Sequence, residues 1–480
     1  MRFRNTLLLL FVLAGLAAYV YYVERPAAVK EATKEKLVEL KADEITEIAL
    51  TYPDREIVLV KVGGVWTMKK PVEAEADEVA VKGILSALES AEVKKGLEGE
   101  VTDWTPYGLD KPSTTVALKA GEKALPVVKI GKAAPIGGNA YAVRGDEKKI
   151  LLTPSSVRTG VDKSAKDLRN KSVFRFGDDA VQRVEVKSED SDLVLAKSGD
   201  KWKIESPGNF DADSTTVRSY LSTLKALRAT DFPDEKADLA TYGLGAPKVS
   251  VTLTLADGGA QQTLLVGAAV PDKKEVYVKT ASSPVVYTVG DWVSRDLVKP
   301  VADFRDKTVL AFDKESARSI EVARQDGERF TLTRGDDGKW SIEPAQPKAA
   351  PAALSGFVND VAGLKGFQIL ADAAADLAPF GLAPPALGIT VKGADGADLG
   401  TVLLGQRDVD GKKEHTAARL GGTTVFLLRD FNFARLDKKA SSFEEQAPPI
   451  AGGQPPEAVL DVQDVMEDQM EASDEQMELE

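Results

Sequence analysis

One histidine occurs in 480 residues. His415 lies in KKEHTAARL, and a single histidine is enough for a Ser-His-Asp relay. The sequence indicates no serine or aspartate partner for it. Its position is occupied by Tyr141 and Tyr277 in two related stretches, so it reads as a strand residue substituting for an aromatic. Ser222-Thr-Leu-Lys225 fits the S-x-x-K pattern of acyl-transfer enzymes, but the companion motifs of that class are missing. The related stretch Ser86-Ala-Leu-Glu89 lacks the lysine, and the pattern reads as coincidence on a helix. Asp408-Val-Asp410-Gly411 begins like a calcium loop. Lys413 then stands where glycine is required, and Arg419 where the bidentate glutamate belongs, so a polar hairpin turn is expected. Arg144-Gly-Asp146 and Arg334-Gly-Asp336 spell an adhesion tripeptide twice, both times where hairpin turn chemistry accounts for Gly-Asp.

Whole classes of chemistry have no carrier. With no cysteine there is no thiolate nucleophile, disulfide framework or cysteine metal site. Neither G-x-x-x-x-G-K-[ST] nor G-x-G-x-x-G occurs, so nucleotide binding is unsupported. No catalytic, cofactor-binding or metal-ligating residue is assigned, and no cofactor is expected.

The elements that would position any site repeat along the chain. DWTPYGLDKP (103–112) returns as DLATYGLGAP (238–247) and DLAPFGLAPP (376–385). The glycines Gly108, Gly243 and Gly381 are 135 and 138 residues apart, each followed by a leucine, Leu109, Leu244 and Leu382. Trp66, Trp202 and Trp340 each follow a turn signal, and strands ending at Gly131, Gly267 and Gly405 keep the same offset. Separate landmarks sharing one period predict three copies of a domain of about 136 residues. Within a copy, alternating apolar residues predict a meander through the Trp strand, then one amphipathic helix, then about four more strands. The helix stripes are Val81, Leu85 and Leu88; Val217, Leu221, Leu224 and Leu227; and Leu354, Val358, Val361 and Leu364. In the recurring phrase, Asp103, Asp238 and Asp376 are placed to cap a single helical turn, and the glycines to end it in the left-handed region. The phrase therefore reads as folding punctuation rather than a ligand site.

The N-terminus reads as an address. Arg2 and Arg4 precede nineteen uncharged residues, Asn5–Val23, enough for one helical bilayer crossing with a cytoplasmic N-terminus. Gly15-Leu16-Ala17 leaves a cleaved signal peptide as the alternative. In both cases the body is exported. At the other end, Glu457–Glu480 holds ten acids and no Lys or Arg, so the rest of the chain carries only −3 of the net −13. Such a body does not support a nucleic-acid footprint. The acidic tail reads as solvated, or as a segment that folds against a partner through Val459, Val462, Met466 and Met470.

The anchor, the Trp strand leading to proline, the helix, the [YF]-G-L-x-x-P phrase, the strand ending in glycine and the L/F-R-[ND]-K stretch together resemble the bacterial family called domain of unknown function 4340. The resemblance covers roughly residues 44–443. It implies exported, membrane-anchored proteins, many encoded beside ABC-2 type transporters of the gliding-motility kind, and it supplies no catalytic residue. The expected class is α+β, with three tandem antiparallel-sheet domains of one main helix each after a single transmembrane helix. The expected division is anchor 1–24, stalk 25–43, copies 44–172, 173–308 and 309–446, and acidic tail 447–480. The function expected is a non-catalytic inner-membrane protein with a periplasmic body, an accessory or scaffold of an ABC-type export assembly, with a transporter subunit as partner. The alternative is an exported hydrolase or ligand-binding protein with a pocket between copies.

Overall fold

The computed structural model describes residues 35–444 apart from 97–100, 136, 178, 190–191, 234–237, 257–258 and 345–348. The apolar N-terminal run and the acidic tail lie outside the described residues. Among the described residues no helix is long and apolar enough to cross a membrane. The architecture is α+β, built mainly from antiparallel sheets.

Three large sheets share a seven-strand core order; the first and third add an edge strand, Lys95–Gly96 and Gln368–Ala371, beyond its last strand, and among the described residues the third has no counterpart of the outermost strand on the opposite edge. In the second, the edge-to-edge order is Phe210–Ala212, Lys201–Ser206, Asp192–Ser198, Val181–Ser188, Val249–Leu255, Gln261–Ala269, Glu275–Thr280 and Tyr287–Gly290. The chain thus lays down four strands outward from the centre, crosses by a helix, and lays down four more outward from the centre again. At the centre Val184 faces Leu253 and Val186 faces Val251. Ile48 faces Leu118 and Leu50 faces Val116 in the first sheet, and Ile320 faces Val391 and Val322 faces Ile389 in the third. These residues are buried because period-2 alternation sends every second side chain to the face covered by the helix. The covering helices are Glu78–Glu89, Ser214–Lys225 and Pro351–Ala362, and each packs on the strand that carries its tryptophan. Asp77 caps the first through Val79 N and Ala80 N, and Asp213 caps the second through Thr216 N. Trp66 and Trp202 are buried, 4% and 7% exposed, while Trp340 is half-buried. The described chain divides into two compact units, one ending at Val301 and one beginning at Ala302. The first unit holds two of the large sheets, the second holds one.

Residues 35–43 are not a stalk. Leu37 and Val38 are 0% and 1% exposed in the first core. Leu37 N donates to Ala91 O at 2.9 Å and Val93 N donates to Glu35 O at 2.7 Å. The same short pairing recurs where Val173 N donates to Leu227 O at 3.2 Å, and where Thr308–Ala311 pairs with Gly363–Lys365. Each sheet is therefore preceded by an edge segment that locks the C-terminal end of its main helix. These segments begin at Glu35, Lys171 and Lys307, so the L/F-R-[ND]-K stretches lead directly into structure.

Candidate functional site

The recurring Gly-Leu phrase is a capped turn docked on its own sheet. Asp103, Asp238 and Asp376 accept hydrogen bonds from Thr105 N, Ala240 N and Ala378 N, at 2.9, 3.3 and 2.9 Å. Gly108, Gly243 and Gly381 have φ of +65°, +65° and +69°, a region where a Cβ is strained. Leu109, Leu244 and Leu382 are buried in small apolar clusters apart from the main cores. Gly131, Gly267 and Gly405 do not end their strands as their spacing predicts; they lie inside Val128–Ala133, Gln261–Ala269 and Asp398–Val409, and they belong to the same contact. An ideal Cβ on Gly131 would lie 2.3 Å from Tyr107 O, one on Gly267 2.2 Å from Tyr242 O, and one on Gly405 2.2 Å from Gly381 O. Only glycine lets the turn's carbonyl come that close to the strand.

The third sheet departs here, and His415 does not stand in the tyrosine position. In the first two sheets the register slips between Ile130 and Ala133 and between Val266 and Ala269. In the third it runs on without a slip, with Gly405 facing Thr416 and Gln406 facing His415. Tyr141, Tyr277 and Thr416 face Leu152, Thr288 and Leu427 respectively, so Thr416 is the counterpart of the tyrosines. His415 falls one residue away and points to the opposite sheet face. In the second sheet the bulged Ala268 N donates to Tyr242 O at 2.8 Å. In the third, with no bulge, the Thr416 hydroxyl donates to Phe380 O at 2.7 Å. The turn's carbonyl is satisfied both times, by different atoms.

His415 stacks on Phe433, ring centroids 4.1 Å apart, with Nε2 3.6 Å from Asp430 Oδ1. Its Nδ1 is buried with no hydrogen-bond partner among the described residues. Burial lowers its pKa below the ordinary 6.5, against a smaller opposing effect of the Asp430 charge. The unfolded chain therefore takes up this proton first as pH falls. Stability is complete above about pH 6.5 and declines as pH drops through that value toward the lowered folded one. The urea midpoint of the C-terminal unit should fall more between pH 7.5 and pH 5 in the parent chain than in His415→Phe, which keeps a ring against Phe433. Equal losses in the two proteins would refute this assignment.

The remaining motifs resolve into structure. Ser222 and Lys225 are both exposed on the helix Ser214–Lys225. Asp410 and Gly411, with φ of +51° and +77°, form the two-residue turn between paired Val409 and Lys412. Arg144 pairs with Glu147 and Glu35 at 2.6 and 2.9 Å, and Arg334 pairs with Glu315. The arginine of each tripeptide is thus engaged within its own sheet's surroundings. Among the described residues no group of three or more His, Cys, Asp or Glu could hold a metal ion.

A polar constellation joins the first two sheets. Ala76 pairs with Arg169 across a bridge, Asp77 N donates to Leu168 O at 2.8 Å, and Asn170 N donates to Glu75 O at 2.8 Å. Around this strip lie the ion pairs Glu75–Arg175 at 2.8 Å, Asp77–Arg228 at 3.0 Å and Lys166–Asp231 at 3.1 Å. Arg169 is 4% exposed, its guanidinium 3.8 Å above the ring of Phe232. Burial would raise the Asp231 carboxyl, but the Phe232 amide and Lys166 outweigh it and hold it low. Nothing within L-R-N-K itself signals this task, because its partners lie far off in the chain.

Among solved structures, a DNA polymerase III subunit beta DnaN sliding clamp from Bartonella birtlesii LL-WM9 is similar at 7% identity and a TM-score of 0.13. The likeness covers 83% of this chain and 93% of that one, and at that score it carries no argument. No curated protein matches the chain. The model of the family described as domain of unknown function (DUF4340) matches residues 66–205 and 202–365, two stretches that begin at Trp66 and Trp202. Those matches span more than half of the sequence, and the chain belongs to the DUF4340 family.

Proposed function

We propose that this is a non-catalytic, membrane-anchored envelope protein that supports an ABC-type export or gliding-like assembly. On this reading it consists of three tandem copies of one antiparallel-sheet domain, starting near Glu35, Lys171 and Lys307, and its Asn5–Val23 run is an uncleaved inner-membrane anchor. The observation that carries the scaffold role is the joint between the first two sheets. A flexible tether would suffice if each copy worked alone. Here the connecting strip is hydrogen-bonded on both sides and ringed by three ion pairs. Exposed pairs of this kind contribute little singly, but with a buried Arg169 they fix geometry, which is what a spacer or platform requires. The partner is a transporter subunit in the same membrane.

The chain should fractionate with membranes, and protease added to spheroplasts should digest its body. Crosslinking in intact cells should then recover a polytopic transporter subunit. A full-length body protected from the protease would end the envelope reading, and crosslinks confined to soluble cytoplasmic proteins would end the transporter partnership.

A further inference from the structure

Where the first sheet begins, the chain leaves a groove. A cavity of about 420 Å³ lies between the edge segment and the sheet, within the usual range of about 300–1,000 Å³ for small-ligand sites. Its apolar wall includes Val38, Leu40, Ala120 and Leu125, and its rim carries three lysines and three glutamates, Lys36 and Glu89 among them. The corresponding hydrogen bonds, Leu37 N to Ala91 O and Val173 N to Leu227 O, align Val38 with Phe174 and Leu40 with Phe176. Those phenylalanines are 1% and 9% exposed and pack edge to face at 6.1 Å. Central pairing aligns Ala120 with Leu255 as well. At three matched positions the first sheet carries the smaller side chain; all three line the groove, Leu40 and Ala120 half-buried and Val38 buried.

The groove sits at the point nearest the apolar run in sequence. Eleven residues, Glu24–Lys34, separate Val23 from Glu35, a reach of at most about 36–40 Å when extended. We propose that the groove takes an acyl chain of a zwitterionic phospholipid from the bilayer in which the run is anchored, holding the first domain against the membrane surface. The inference rests on the anchor proposed above. An aliphatic chain suits the apolar wall, and an ammonium-phosphate head suits a rim with equal numbers of lysines and glutamates.

The test uses the full chain reconstituted in phosphatidylethanolamine vesicles that contain a phosphatidylethanolamine with a photoactivatable acyl chain. Labelled peptides are then mapped by mass spectrometry. Label is expected on residues 36–45 and 120–125 as well as on 5–23. Val38→Phe/Leu40→Phe, which installs the residues of the second sheet, should cut groove labelling by about tenfold and leave 5–23 unchanged. Ala120→Leu serves the same purpose should the double variant not fold. Phosphatidylglycerol vesicles should label the groove less. An unlabelled groove, or labelling indifferent to the filling variants, overturns the acyl-chain site whatever the run does, and equal labelling from phosphatidylglycerol overturns the zwitterionic head. An unlabelled run with a labelled groove overturns the anchor instead.

Discussion

Trp202→Ala should destabilise the N-terminal unit by about 3–5 kcal/mol, the cost of removing a large buried aromatic and leaving a cavity. Trp202 is 7% exposed, on a strand that packs on the helix Ser214–Lys225, and Ile204 two residues on is fully buried on the same face. The indole therefore sits on the buried face of a strand that packs on the helix, where a close-packed interior limits relaxation. Trp66→Ala should behave similarly, at 4% exposure. Trp340→Ala should cost less, because that ring is half-buried and already partly solvated. Urea unfolding followed by far-UV circular dichroism reads all three without depending on tryptophan emission. A Trp202 variant as stable as its parent would mean that the ring serves a binding surface, and would remove the argument that the repeated tryptophans are core.

These outcomes mark what one sequence can disclose. The central strands and main helices were legible because burial imposes periods of 2 and 3.6 on the apolar residues. The capped turn was legible because Asp and Gly each have a local task there. Residues 35–43 were misread because an edge segment pairs through its backbone and has only a brief apolar pattern among charges. Comparing LVEL with VFRF and VLAF, at 37–40, 173–176 and 309–312, carries the signal. The His415 assignment failed because counting a fixed offset assumes equal strand lengths. Loss of the bulge after the glycine inside the strand moves the register by one residue and changes which side chain faces the turn. The joint around Arg169 and the groove beside Leu40 were not legible at all. Both are made of residues that meet only after the sheets have formed, and neither has a local pattern that spacing could reveal.

Gly267→Ala and Gly243→Ala should each destabilise by about 1–3 kcal/mol, since overpacking at a backbone contact forces the chain apart. The two changes attack one contact from opposite sides. A Cβ on Gly267 would meet Tyr242 O at 2.2 Å, and one on Gly243 would meet Ala268 N at 2.7 Å, with the added strain of φ +65°. Backbone is struck in both cases, so no side-chain rotation relieves the collision. Once either substitution has pushed the turn off the strand, the second meets little resistance. The double variant should therefore fall short of additivity by about 0.5–3 kcal/mol. Gly199→Ala separates strain from collision, because Gly199 has φ +61° with nothing within 4 Å of an added Cβ. It should show only the backbone penalty and add fully to either of the others. Asp238→Ala removes the cap on the same turn and should cost about 0.5–2 kcal/mol. The readout is the unfolding free energy of the N-terminal unit beside recovery of any crosslink to the partner proposed above. If Gly243→Ala leaves unfolding unchanged yet abolishes that crosslink, the phrase is a recognition surface. If stability falls and the crosslink survives wherever the chain is folded, the phrase is the latch that seats each turn on its sheet, and its recurrence reflects recurrence of the fold.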